Sequence, residues 1–300
     1  MKMKRRDHLR ALVFTSLALL LPASTVWAQS RQVDPTWLYR DVPLLNYTQV
    51  DLSSASCHYK AAFGEGDNEN RAMLSIARFG EATLDPGGSC QAIRYDRKEE
   101  LYFILEGKGA LHYGSQTFPL RANDFTYLAP GVNHSIENNS AGPLRVEIMT
   151  FTIPSSISVG PPPEQPKIVN MDALKEETVE GHPSSVLYKL LAGPQSGTRD
   201  AIDQAYVVVS LFWMDFAPGG TNFPHHHEDA EEIYLVVDGQ GEMVAGGGMD
   251  GVEGRHPSKA GDAYYFRPNC TVGFYNQNKQ GAKAHILAVR SRIRLPRDAD

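Results

Sequence analysis

Cysteine is scarce in this chain of 300 residues: there are three, and none forms a C-x-x-C pair. That excludes a disulfide-stapled scaffold and a zinc knuckle. Positive charge is also short, with 29 Lys and Arg against 35 Asp and Glu, a net charge of -6 and no basic block. Nucleic acid is therefore not expected as a partner. Helical signals are weak, and residues 171–179 alone read as a short helix. Apolar residues, at 42%, are too abundant for a disordered chain. The length suits one large domain or two ordinary ones.

The chain opens Met1-Lys2-Met3-Lys4-Arg5-Arg6, and an uncharged, mostly apolar run follows over residues 11–26. Small residues at Val26 and Ala28 complete the pattern of a secretory signal peptide over residues 1–28, cleaved after Ala28. An uncleaved anchor fits less well, because a spanning helix needs about 20 apolar residues and Pro22 interrupts this run. The segment Lys4-Arg5-Arg6-Asp7-His8-Leu9-Arg10 resembles a twin-arginine export signal, with His8 where that family usually has Phe. An ordinary basic leader is the alternative. Cleavage leaves 272 residues with net charge -10, expected in the periplasm or outside the cell and not attached to a membrane. Cys57 and Cys90 could pair in that oxidising compartment, or stay as two buried thiols.

The rest of the chain repeats itself. Residues 86–107 read PGGSCQAIRYDRKEELYFILEG, and residues 218–239 read PGGTNFPHHHEDAEEIYLVVDG. The two align without a gap at an offset of 132, with Glu99-Glu100 over Glu231-Glu232. A second block, Asn123-Asp124 to Pro130, matches Gly261-Asp262 to Pro268, and Asn138 matches Asn276, at an offset of 138. The six extra residues fit the turn-rich stretch 246–251. Short apolar runs at 101–105, 125–128, 144–151, 207–213, 233–237, 263–266 and 284–289 are parted by Gly, Pro, Asn and Asp. That is the pattern of many short strands in a sandwich or barrel, so the fold expected is all-β. The segment 153–163 ends in three prolines and reads as an extended connector. It divides an N-terminal unit, residues 29–160, from a C-terminal unit, residues 161–300.

The second copy carries a candidate metal site. On an extended chain residues two apart share a face, so His225 and His227 point together and His226 away. Glu232 begins the next apolar run, and a hairpin would bring it opposite the imidazoles. Two imidazoles and a carboxylate suit a divalent transition metal, Fe or Mn first, with Zn or Ni also compatible. Three protein ligands leave positions for water and substrate. Glu231, by alternation, is expected to face outward, and Tyr234 shares the parity of Glu232. Of Tyr264 and Tyr265 one faces inward, and Arg290, Arg292 and Arg294 read as a solvated strand face.

The Gly219, His225-x-His227, Glu232, Gly239 arrangement resembles motif one of the cupin family, and Gly261-Asp262 to Asn276 resembles motif two. The first copy is similar at both blocks, so the mature chain resembles a bicupin. The resemblance implies two tandem cupin jelly-roll β-barrels with metal ligands inside. The chain departs from the family pattern in each half. Motif two normally adds a His, and here that position is Val272. Bicupins of the ureidoglycine aminohydrolase kind would carry a glutamine ligand there, so their activity is not transferred. Cys270 lies two residues earlier and could supply a fourth ligand, though a small buried thiol is the preferred reading. In the first copy Ile93 and Tyr95 replace the His pair, while Glu100 and His134 remain. A degenerate site is expected, in a half that by default is structural and packs against its partner, with a carboxylate or sugar pocket of Arg94, Glu100 and His134, or a metal, as the alternatives.

The function expected is an exported metal-dependent enzyme acting on a small oxygen-rich molecule. A dioxygenase is slightly favoured, because two His and one carboxylate is the iron-oxygenase ligand set. An isomerase, decarboxylase or hydrolase, and a binding protein without chemistry, are the alternatives. No general base is evident beyond the weak catalytic candidates Tyr234 and Cys270. Barrel edges could bury against a second copy, which would make a homodimer.

Overall fold

The structure is a computed structural model that describes residues 35–247, 252–278 and 281–293. The leader segment 1–28, Arg294 and most of the expected turn at 246–251 lie outside the described residues. Among the described residues there are strands and three single 3-10 turns but no α-helix. Residues 171–179 contribute one such turn, Met171–Ala173, in place of the expected helix. Among the described residues no helix is long and apolar enough to cross a membrane.

Ten strands come from the first part of the chain: β1 Trp37–Asp41, β2 Cys57–Gly64, β3 Ile76–Leu84, β4 Lys98–Glu106, β5 Lys108–Tyr113, β6 Gln116–Arg121, β7 Asp124–Leu128, β8 His134–Glu137, β9 Leu144–Thr152 and β10 Ile168–Asn170. Nine follow: β11 Val186–Pro194, β12 Ile202–Ala205, β13 Val208–Phe216, β14 Ala230–Asp238, β15 Gln240–Gly247, β16 Val252–Lys259, β17 Asp262–Phe266, β18 Thr271–Tyr275 and β19 Ala284–Arg292. Each half builds a large sheet faced by a three-stranded one. The first pair is β10-β7-β4-β9-β3-β2 with β6-β5-β8, and the second is β1-β17-β14-β19-β13-β11-β12 with β16-β15-β18. Two strands cross the division at 160/161. β1 pairs β17, with Trp37 opposite Phe266, and β10 pairs β7, with Ile168 opposite Thr126.

Every residue of β14 up to Val236 is buried, which is why the run reads as continuous rather than alternating. Alternate residues go to different cores. Tyr234 and Val236 face the barrel interior with Phe212, Tyr264, Val272 and Phe274. Ile233 and Leu235 face the other large sheet, in a third core between the barrels that includes Phe63, Leu101, Phe103 and Tyr265. Tyr264 is thus the inward member of its pair. At about 1.5–3 kcal/mol for each fully buried large apolar side chain, this shared core binds the two large sheets together.

The repeated residues are largely accounted for by this frame. Glu231 does not reach solvent as expected. It leaves its own barrel and enters the shared core, where it is fully buried. It accepts backbone N–H bonds from Leu74, Ser75 and Ile76 at 2.9, 2.5 and 2.6 Å, and a 2.8 Å bond from the Tyr265 hydroxyl. Glu99 does the same in the opposite direction. It accepts from Tyr206, Val207 and Val208 at 2.6, 2.9 and 3.0 Å and from the Tyr127 hydroxyl at 3.0 Å. The repeated Asn138 and Asn276 tie loops, the first to the carbonyls of Leu84, Asp85 and Gly142, the second to those of Phe216, Ala217 and Ala282. Gly107 and Gly239 close motif one at φ 89° and 83°, where a Cβ would meet Pro143 O at 2.3 Å and Lys283 O at 2.7 Å. Cys57 and Cys90 are joined as a disulfide across a separation of 33 residues. In the chain-entropy account such a loop stabilises the fold by about 4 kcal/mol.

Candidate metal centre

The three residues singled out in the second copy converge. Nitrogen atoms of His225 and His227 and a carboxylate oxygen of Glu232 all lie within 4.8 Å of one another. They do not meet through a hairpin. The His225–His227 segment runs beside the end of β18: His225 N donates to Val272 O at 2.9 Å, Val272 N to His225 O at 2.8 Å, and Asn269 N to His227 O at 2.7 Å. The imidazoles therefore hang from the small sheet, while Glu232 stands on the large one, and the site spans the barrel interior. His226 is exposed, as alternation requires.

Local bonds set the chemical state of these groups. His225 Nδ1 lies 2.8 Å from Phe223 O. A carbonyl can only accept, so Nδ1 carries the hydrogen and Nε2 keeps its lone pair. Phe223 presents that carbonyl at φ 54°, an uncommon conformation for a non-glycine residue. Burial holds His225 below the ordinary imidazole value, against the raising effect of Glu232. Burial alone would raise Glu232, but the neighbouring His227 imidazole, with the Arg290 charge behind, outweighs it and holds the carboxyl low. An ionised carboxylate and a neutral imidazole are the forms that bind a metal. Glu232 Oε2 is buried with His227 Nε2 at 3.3 Å, yet has no well-formed hydrogen bond among the described residues. An orphaned carboxylate oxygen flanked by two imidazoles is what a cation would satisfy, so the residues present fit a metal.

Arg290 is the functional residue that sequence reasoning missed. It does not lie on a solvated face. It shares the parity of Ile286 and Ala288, which line the barrel interior, and pairs directly opposite Glu232. Its Nη1 is 3.1 Å from both ring nitrogens of His227. The signal lay in the apolar run 284–289, whose inward parity continues to 290. Tyr188 on β11 is also buried, its hydroxyl has no partner among the described residues, and burial keeps it protonated. His182 packs edge-on against His225 with ring centres 5.1 Å apart. Tyr234, also in this core, has its hydroxyl 3.0 Å from the Asn222 amide nitrogen. Cys270 is buried with its thiol 3.3 Å from Gly246 O, and it is not among the clustered ligands.

The first barrel spends its remaining ligand-type residues on each other. His134 Nε2 lies 2.6 Å from Glu100 Oε2, and Thr150 donates to Glu100 Oε1 at 2.8 Å. His134 Nδ1 lies 3.0 Å from Val132 O and must be its donor. The short contact to Glu100 therefore holds one proton between the two. Burial lowers His134, but Glu100 more than offsets this and leaves it raised. Arg94 does not join them: its side chain is 60% exposed and pairs with Asp96 at 3.4 Å. A one-residue reach outward by the chain at Arg94 explains this, because Ile93 takes the inward position and pairs with His134.

Comparison with known proteins places this geometry in context. The Cupin domain family matches residues 80–151 and 212–289, together half of the chain. The "Oxalate-binding protein" of Thermotoga maritima is 37% identical over 68 residues, 22% of this chain and 56% of that protein. The chain spans about half the length of the curated relatives it matches. Two solved structures share the fold across both barrels. The putative glyoxylate-induced protein of Pseudomonas aeruginosa aligns with TM-score 0.67 and 13% identity, covering 87% of this chain and 91% of that one. The oxalate decarboxylase of Lactobacillus farciminis, solved with formate, aligns with TM-score 0.62 and 12% identity, covering 88% of each.

Proposed function

The chain belongs to the cupin domain family, and on that premise we propose that it is an exported metal-dependent enzyme acting on a small carboxylate-bearing substrate in its C-terminal barrel. The observation that carries this reading is the convergence of His225, His227 and Glu232 with Arg290 beside them. His225, His227 and Glu232 would hold the cation, with Fe or Mn first and Zn or Ni as the alternatives. When bound, the cation supplies Lewis acidity toward a substrate oxygen, and iron would add the one-electron chemistry that dioxygen requires. The protein's own groups do the rest. Arg290 binds and orients a substrate carboxylate by charge-assisted hydrogen bonds. Tyr188 offers a protonated hydroxyl beside Glu232, suited to hold a second substrate oxygen. His182 and Phe212 both pack against the Tyr188 ring, and His182 keeps the His225 ring in place.

Dioxygenation ranks first for a site of two His and one carboxylate, ahead of isomerisation, decarboxylation or hydrolysis. The Cys57–Cys90 disulfide supports residence in an oxidising compartment, in keeping with the leader over residues 1–28. A second reading, ligand binding without turnover, draws on the name of the T. maritima relative. Elemental analysis of the purified protein, followed by an oxygen-consumption screen with small organic acids, separates the two. Stoichiometric transition metal and substrate-dependent oxygen uptake are expected. His225→Ala should lower metal affinity by more than about 100-fold and remove turnover, since losing even an outer partner costs 10–100-fold. Full metal content in that variant would refute the ligand assignment.

A further inference from the structure

We propose that the N-terminal barrel contains a second, metal-free site that takes a small carboxylate on the buried guanidinium of Arg78. The two barrels place an arginine and a hydroxyl on the same two adjacent strands, in opposite order. In the first barrel Arg78 on β3 pairs across to Thr150 on β9, which pairs across to Glu100 on β4. In the second, Ser210 on β13 pairs across to Arg290 on β19, which pairs across to Glu232 on β14. Each barrel thus carries one guanidinium in the strand row that contains its motif-one glutamate, supplied from a different strand. The Glu231 and Glu99 clamps do not require this exchange, because they face the shared core and not the barrel interiors.

Arg78 is 0% exposed. Its Nη2 donates to Asp51 at 2.6 Å and to Glu65 at 2.8 Å. Its Nε and Nη1 are buried with no hydrogen-bond partner among the described residues. The Tyr59 hydroxyl, whose ring lies 5.7 Å from the guanidinium carbon, is also buried and unpartnered. Leaving such donors buried and unpaired is unfavourable. All three can donate, so the complementary guest is rich in acceptors, and a carboxylate brings two oxygens.

The charges around the site allow an anion. Asp51 and Glu65 are each 39% exposed, so water screens them, whereas Arg78 is dry. Lys98, 3.5 Å from Glu65, adds a second cation at the rim. The His134–Glu100 pair, sharing one proton, contributes no net charge. Tyr95, which occupies the place of His227, is partly buried and donates its hydroxyl to Asp51. With Tyr95 and Ile93 where imidazoles would be, this barrel keeps a guanidinium and lacks the His pair.

The test uses the full chain carrying His225→Ala, His227→Ala and Arg290→Gln, so that the other barrel offers neither the His pair nor a guanidinium. Acetate, malonate and oxalate are titrated while arginine side-chain NMR and melting temperature are followed. One Nε–H signal, absent in the additional Arg78→Lys variant, should shift saturably with one equivalent bound, and the melting temperature should rise. Arg78→Lys should weaken binding at least about 10-fold, because the flat donor set is lost while the charge stays. Should that variant fail to fold, Tyr59→Phe removes only the unpartnered hydroxyl and should weaken binding about 5-fold. No saturable shift at concentrations that would fill a millimolar site overturns the proposal. So does a shift that persists in Arg78→Lys, or a crystal showing only water on Nε and Nη1 at saturating probe.

Discussion

A guanidinium 3.1 Å from a metal-ligand imidazole has a measurable consequence at the level of one residue. Arg290→Gln should leave metal stoichiometry intact and raise KM for anionic substrates about 10- to 100-fold, the worth of a charge-assisted bond of about 1.5–3 kcal/mol. An equal loss with an uncharged analogue would mean that Arg290 is structural. Acid offers a second test. A metal would take His225 in its neutral form, and burial lowers its proton affinity, so the ligating range would extend further toward acid than for an ordinary imidazole. Metal should therefore be released only below about pH 6.5, the unperturbed imidazole value. Metal quantitation after dialysis at stepped pH reads this, and release above neutrality would contradict it. The His pair and Glu232 were legible in the sequence because spacing of two on extended chain fixes a shared face. Arg290 and Tyr188 were not, because a strand residue's cavity is set by which sheet packs on each face.

At the scale of the element, β9 and β19 occupy matching places, yet at one inter-barrel position a carboxylate stands where the other has an aliphatic side chain. Glu147 pairs with Phe103 where Leu287 pairs with Leu235. Glu147 is buried, one carboxyl oxygen has no partner among the described residues, and burial, with Glu81 adding to it, pushes its carboxyl well up. The folded value then lies above the unfolded one of about 4.3. Between the two the folded state binds the extra proton, so this residue costs stability as pH rises through that window, by up to about 1.4 kcal/mol per unit. Glu147→Leu should therefore gain on the wild type as pH climbs from about 5 to 8, with little difference near 5. Equal melting-temperature differences at both values would sink the claim. The strands themselves were visible in the sequence. The burial of Glu231 and Glu99 was not, because alternation says only that a side chain leaves its own barrel, and a second sheet decides whether it meets water.

For the whole molecule, the exchanged edge strands matter most. Cutting the chain at 160/161 leaves the second half without β1 and the first without β10, and it exposes Leu101, Phe103, Ile233 and Leu235. Neither half alone should melt cooperatively by circular dichroism, and a sharp transition in either would contradict the shared core. A linear repeat cannot show this exchange, because β1 and β10 are three to five residues long and pair with strands more than 40 positions away. The sequence by itself determined the all-β class, the duplication and the trio His225, His227 and Glu232 as a candidate ligand set, since each rests on local spacing: period two, a fixed offset, and chemistry carried by residue type. Only the tertiary structure decided which buried polar groups are structural and which face a cavity. That outcome depends on how two large sheets stack, and a residue's immediate neighbours in the chain carry no information about the far side of a sheet.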